Sequence, residues 1–180
     1  MKARTIILWI FSLIIIDQII KIVIYSFFFE TQFEIIPSLF EFKPVFNDKH
    51  SYLNVLLYKN FNIDLGLWFH MVLFLFAEII FLTFYYYMRN NITGNKKLLD
   101  IAIIFQSAGL ICALIGNLIW EKGTLDYIYL KPLFVFDLKD VYANCFFVLF
   151  FVYLHKSRSQ TKTIKIKDII LYNKESIKAE

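Results

Sequence analysis

Carboxylates carry the chemistry this sequence could perform. Asp126, Asp137 and Asp140 fall within fifteen residues, and Asn144 follows Asp140 by four positions, on the same face of a helix. Two carboxylates at the ends of neighbouring helices are what acid–base hydrolysis needs, because one must be ionised to activate water while its partner holds a proton. A second group lies upstream, where Asp17-Gln18-Ile19-Ile20-Lys21 sets opposite charges four residues apart on one helical face. Inside a bilayer each ion alone costs at least about 2.5–3.5 kcal/mol. The pair therefore either offsets its own desolvation or supports a site. Glu78 stands alone in a long apolar run, and three readings stay open for it: protonated, paired with Lys21, or facing a polar cavity. Ala102, Gln106, Gly109, Ala113, Gly116 and Asn117 form a small and polar stripe suited to packing against another helix, with Asn117 near enough to its end to reach a site.

Other chemistries are poorly supplied. His50, His70 and His155 lack metal-ligand spacing, so no metal site is expected. Cys112 and Cys145 lie in apolar runs, away from oxidising solvent, which argues against a disulfide framework. With five glycines and no Gly-x-x-x-x-Gly-Lys segment, a nucleotide-binding loop of that type is not expected.

The elements that must position these residues are membrane helices. Of 180 residues 59% are hydrophobic and 19% charged, and the mean hydropathy of +0.59 is far from that of an ordinary soluble domain. The expected fold class is an all-α membrane protein: four transmembrane helices with a small strand-like extracytoplasmic segment, in a single membrane domain over residues 1–180. The spans are expected at about 5–29, 65–88, 98–120 and 140–155. The first is read as uncleaved, because its apolar run outlasts a signal peptide's and no small-x-small site follows. Twelve Lys and Arg flank the two termini and the loop between spans two and three, against six on the opposite side. Both termini are therefore expected in the cytoplasm. Residues 30–64 and 121–139 are then the outer segments, and residues 156–180 a basic tail that rests against anionic membrane lipid rather than nucleic acid. Alternation in Leu39–Phe46 suits strands, while Tyr127–Leu130 and Leu133–Phe136 are strand-like or re-entrant.

These residues resemble the lipoprotein signal peptidase (signal peptidase II) family, in its divergent Bacteroidetes-type members, across essentially the whole chain. Asp17-Gln18-Ile19-Ile20-Lys21 is similar to the family's Asp-x-x-x-Lys. Asn47 matches the Asn that opens Asn-x-Gly, implying a substrate contact, and Phe136-Asp137-Leu138-Lys139-Asp140 resembles Phe-Asn-x-x-Asp, with Asp137 in place of Asn. The resemblance makes Asp140 one catalytic aspartate, with Asp17, Lys21, Asn47, Asp137 and Asn144 as substrate-binding or supporting residues. The second aspartate is where the chain departs. Aligning on Gly116-Asn117 puts Trp120 at its position. Aligning on Leu125-Asp126-Tyr127-Ile128 with the family's nine-residue spacing puts Asn117 there, and this is preferred because it needs no gap. Asp126 or Asp137 substitutes only if the loop carries it into reach.

The resemblance implies a metal-free, cofactor-free aspartic endopeptidase of the bacterial cytoplasmic (inner) membrane, acting as a monomer on lipid-modified prolipoproteins. Two further readings stand beside it. One is a catalytically silent relative that still binds those substrates. The other is a small ion transporter lined by Asp17, Lys21 and Glu78, which the wholly apolar or aromatic run Phe146–Leu154 disfavours.

Overall fold

The computed structural model describes residues 1–120, 122–162, 164, 165, 167–169 and 172. Glu121, which opens the second outer segment, and Lys174 and Lys178 of the basic tail lie outside the described residues.

Four helices are long and apolar enough to cross a membrane: α1, Ala3–Val23, prolonged by a π-helical turn over Ile24–Phe28; α3, Gly66–Asn91; α4, Lys96–Ile119; and α5, Leu138–Lys156. Each lies within three residues of the span expected from sequence. Helix α4 is the centre, packed by α1, α3 and α5. The small and polar stripe explains why, since Ala102, Gln106, Gly109, Ala113, Gly116 and Asn117 are all buried and let backbones approach closely. At Gly109 a Cβ would stand 3.2 Å from the carbonyl oxygen of Lys139, so glycine is what allows α5 to seat at that point. Helices α1 and α3 instead turn Trp9, Phe11, Trp68, Val72 and Ile79 outward, as lipid-facing helices do.

The helix ends nearest the termini are held by charge. Asp100 is fully buried and accepts from the Tyr85 hydroxyl at 2.8 Å, from Arg89 Nε at 2.9 Å and from the amino group of Met1. Ile6, Met88, Leu99, Ile103 and Tyr153 pack beside it.

At the opposite end the connections fold. Strands β1 (Phe33–Ile36), β2 (Phe40–Asn47), β3 (Thr124–Leu130) and β4 (Phe134–Phe136) form one antiparallel sheet in the order β1-β2-β3-β4. The re-entrant alternative for 127–136 is thereby replaced by two strands, since β2 offers β3 a ladder of backbone partners that a re-entrant chain would lack. The β2–β3 register shifts between Phe42 and Val45, where Pro44 has no N–H to give. Beyond the shift Val45 faces Asp126 and Asn47 faces Thr124. The sheet packs through Leu125 and Tyr127 of β3 against Ile24 at the end of the first span. Strand β1 had no sequence expectation, and neither did α2, Tyr52–Phe61, which starts on the Ser51 side chain and ends at Asn62 in the left-handed region. A short helix α6, Arg158–Thr161, follows α5.

Candidate active site

Two elements, β3 and the start of α5, deliver the carboxylates to one place. Asp137 is the N-cap of α5; its side chain accepts from Asp140 N at 3.4 Å, while the Asp140 carboxylate accepts from Asp137 N at 3.1 Å. This reciprocal capping starts the helix and fixes both carboxylates at its positive end. Asp126 arrives on β3, opposite β2, and accepts from the Asn47 amide at 3.2 Å. Asp126, Asp137 and Asp140 bring carboxylate oxygens within 4.8 Å of one another. Asp126 and Asp137 are buried, whereas the Asp140 side chain keeps 44% of its surface exposed.

Lys139 sits in the middle. Its ammonium lies 2.8 Å from Asp126 Oδ1, 2.9 Å from Asp137 Oδ1 and 3.4 Å from Asp140 Oδ2. The other Asp137 oxygen lies 2.7 Å from Lys21 Nζ, which also bonds Asp17 at 2.9 Å, with both side chains fully buried. The Asp17–Lys21 pair is therefore more than an intrahelical pair: it extends through Asp137 to the carboxylate cluster. Burial pushes Asp126 above the ordinary carboxylate range, with Lys139 partly opposing. Burial acts the same way on Asp137, but Lys139 and Lys21 outweigh it and hold that carboxyl below the ordinary range. Three clustered carboxylates could ligate a cation, and the Lys139 ammonium contacts all three.

The cluster opens into a cavity of about 720 Å³ between the sheet, α2 and the helices. Asn47, Asp126, Lys139, Asp140 and Asn144 line its polar part, and Phe74, Leu110, Phe146 and Phe147 its apolar part. The Asn144 amide donates to the Asp140 carbonyl at 2.9 Å, which ties it to the first turn of α5.

Asn117 is placed differently. Its amide oxygen accepts from His50 Nδ1 at 2.7 Å and its NH2 donates to the Ala113 carbonyl at 2.9 Å, so both halves of the amide are engaged away from the carboxylates. The His50 ring is 5.4 Å from that of His70, whose Nδ1 donates to the Gly66 carbonyl at 2.7 Å and whose Nε2 accepts from Ser51 at 2.9 Å. Glu78 accepts from Ser107 at 2.6 Å and from Gln106 at 3.0 Å, while Lys21 is taken by Asp17 and Asp137.

Sequence reasoning missed Lys139 as part of the site, reading it only as a charge that sets orientation. A signal was there. A cation in the first turn of a helix is opposed by the helix dipole, so Lys at that position calls for nearby anions.

A sequence profile described as signal peptidase (SPase) II matches residues 9–156. The chain belongs to the signal peptidase II family. Sequence comparison with curated proteins finds no significant match. Two solved structures, each described as a bacterial membrane enzyme structure by the in meso method, share the fold. One, at 2.3 Å resolution, has a TM-score of 0.64 at 21% identity, covering 91% of this chain and 95% of its own. The other, at 1.9 Å, has a TM-score of 0.62 at 20% identity, covering 84% and 93%. The signal peptidase II family acts on lipoprotein precursors, and this member of it is a membrane protein with four apolar helices and a lipoprotein signal peptidase-like function.

Proposed function

We propose that this member of the signal peptidase II family is an active aspartic endopeptidase whose dyad is Asp126 and Asp140. The observation that carries the reading is the approach of these two carboxylates on the wall of one large cavity, one from the sheet and one from the start of α5. Asn117, with its amide spent on His50 and Ala113, takes no part in the dyad. The second carboxylate beside Asp140 favours this reading over a catalytically silent relative.

The chemistry follows from one proton shared by two acids. The ionised carboxylate takes a proton from a water in the cavity, and the water oxygen bonds to the scissile carbonyl carbon. The protonated carboxyl supports the developing oxyanion and then gives its proton to the departing amine as the C–N bond breaks. The apparent titration steps belong to the pair. Asn47 and Asn144 offer amides to an extended substrate backbone, and the aromatic wall accepts the apolar parts of a lipid-modified precursor. Cleavage takes place at the outer face of the bacterial inner membrane, with both termini in the cytoplasm, and the monomer holds every residue of the site.

The test is cleavage of a diacylated prolipoprotein peptide by the purified chain. Asp126→Asn and Asp140→Asn should each lower the rate by at least about 10²-fold, the lower bound for losing a general acid or base. Near-native cleavage by either variant rejects this dyad.

A further inference from the structure

We infer that Lys139 is a positioning residue of the reaction, an internal counter-cation whose ammonium holds the two dyad carboxylates together and sets the pH range in which they work. The inference rests on the dyad proposed above and adds to it a group that touches both acids.

Lys139 is badly placed by every local criterion. It occupies the first turn of α5, where the helix dipole repels a cation. Only 12% of its side chain is exposed, so the ammonium has lost most of its water. Its backbone is fixed by the seat of α5 on Gly109. What offsets these costs is the bonding of one ammonium to Asp126, Asp137 and Asp140 together. Asp137 in turn is satisfied on its other oxygen by Lys21. Where Phe-Asn-x-x-Asp would carry a neutral amide, this chain has Asp137 with Lys139 two residues on, a pair with no net charge inserted beside the dyad. Asp137 serves the cap, the link to Lys21 and one contact of the Lys139 ammonium, whose other contacts go to the two dyad carboxylates.

The groups that face this ammonium and the dyad come from every neighbouring element. They are Asp17 and Lys21 on α1, Asp48, Lys49 and His50 after β2, and Cys112 on α4. Asp126 and Tyr127 come from β3, Asp137 from the cap, and Asp140 and Tyr142 from α5. On α3, Glu78 and His70 reach the cavity wall through Gln106 and Ser51. Of the cations among them, Lys139 alone bonds Asp126 and Asp140, among the described residues. Removing it leaves two close carboxylates with their mutual repulsion, so both steps of the pair move to higher pH. Removing Asp137 takes away a nearby negative charge and moves them to lower pH.

The experiment is a pH profile of diacylated-peptide cleavage by the full chain, for the native protein, Lys139→Met, Lys139→Arg, Asp137→Asn and the double Asp137→Asn/Lys139→Met. Lys139→Met should raise both limbs by about 1–3 pH units, the usual effect of an adjacent opposite charge. Lys139→Arg should keep them near native, and Asp137→Asn should lower them. If Lys139→Met fails to fold, the double variant, which buries no unpaired charge at this pair, should show the same upward shift relative to Asp137→Asn alone. The infrared carboxylate bands lost in Asp126→Asn and Asp140→Asn give the same titration without turnover. A uniform loss of rate with unmoved limbs, or unmoved bands, overturns the role of Lys139. That result with Asp126→Asn and Asp140→Asn still inactive leaves the dyad standing, whereas cleavage that survives in either of those variants overturns the dyad itself.

Discussion

Asn117 and Asp126 show how much a single hydrogen-bond partner decides. Sequence spacing favours Asn117 as the residue opposite Asp140, yet its amide is spent between His50 and Ala113, while Asp126 stands in the carboxylate cluster. Asn117→Asp should therefore give no gain in cleavage of the diacylated peptide. The new carboxylate is expected to pair with His50 instead, and a several-fold rise in rate would return Asn117 to the dyad. Asp137 carries a stability prediction of its own. Its carboxyl is held below the ordinary range against the pull of burial, so its ionised form is stabilised in the folded chain. That contribution is complete above the unfolded value of about 3.9 and is lost as pH falls through the lower folded value. Thermal unfolding in detergent between about pH 5 and 3 should show the loss, and Asp137→Asn should flatten that slope. An unchanged slope would mean that Asp137 is not the group responsible.

Helix α5 depends on what α4 leaves out. A Cβ at Gly109 would lie 3.2 Å from the Lys139 carbonyl oxygen, so even alanine forces a shift of a few tenths of an ångström, and valine forces more. Gly109→Val should destabilise by about 1–3 kcal/mol through overpacking. It should also lower cleavage more than a lipid-facing control such as Val72→Ala, because the displaced residues carry Lys139 and Asp140. Equal effects in the two variants would show that the seat of α5 does not position the site. The turn before β3 is constrained in a similar way. Gly123 has φ +93°, and a side chain there would collide with the Asn47 backbone. This contact helps hold β2 against β3, and with it Asn47 against Asp126.

Among the described residues the ion pairs sort to the two ends of the bundle, while Glu78 lies midway along α3. Asp100, Arg89 and the Met1 amine tie the terminal end, and Asp17, Lys21, Asp137 and Lys139 tie the sheet end. Lys59 on α2 is exposed at the sheet end. A cysteine there should react with a membrane-impermeant thiol reagent in intact cells whose outer membrane has been permeabilised. Reaction only after lysis of the inner membrane would reverse the proposed orientation.

The four spans were legible in the sequence because a bilayer imposes length and apolarity on a helix regardless of what it packs against. The stripe on α4 was legible too, since small residues at helical spacing have few uses other than close packing. The Asp17–Lys21 contact needed only the geometry of one helix turn. Helix α2 was not legible, because its placement depends on tertiary ties: Asn54 bonds the Lys49 carbonyl and Asp64, and Ser51 bonds His70 of α3. The approach of Asp126 to Asp140 could not be read from spacing either. Asp126 and Asp140 lie in separate elements joined by the β3–β4 hairpin, and β2 fixes the register of β3 from about eighty residues upstream. Lys139 shows the same limit: sequence supplies the charge and its awkward place in the first turn of α5, but only the fold brings Asp126 within 2.8 Å of its ammonium. Helical neighbours follow from local geometry, whereas contacts across strands and between helices exist only once the sheet and the α4–α5 seat have formed.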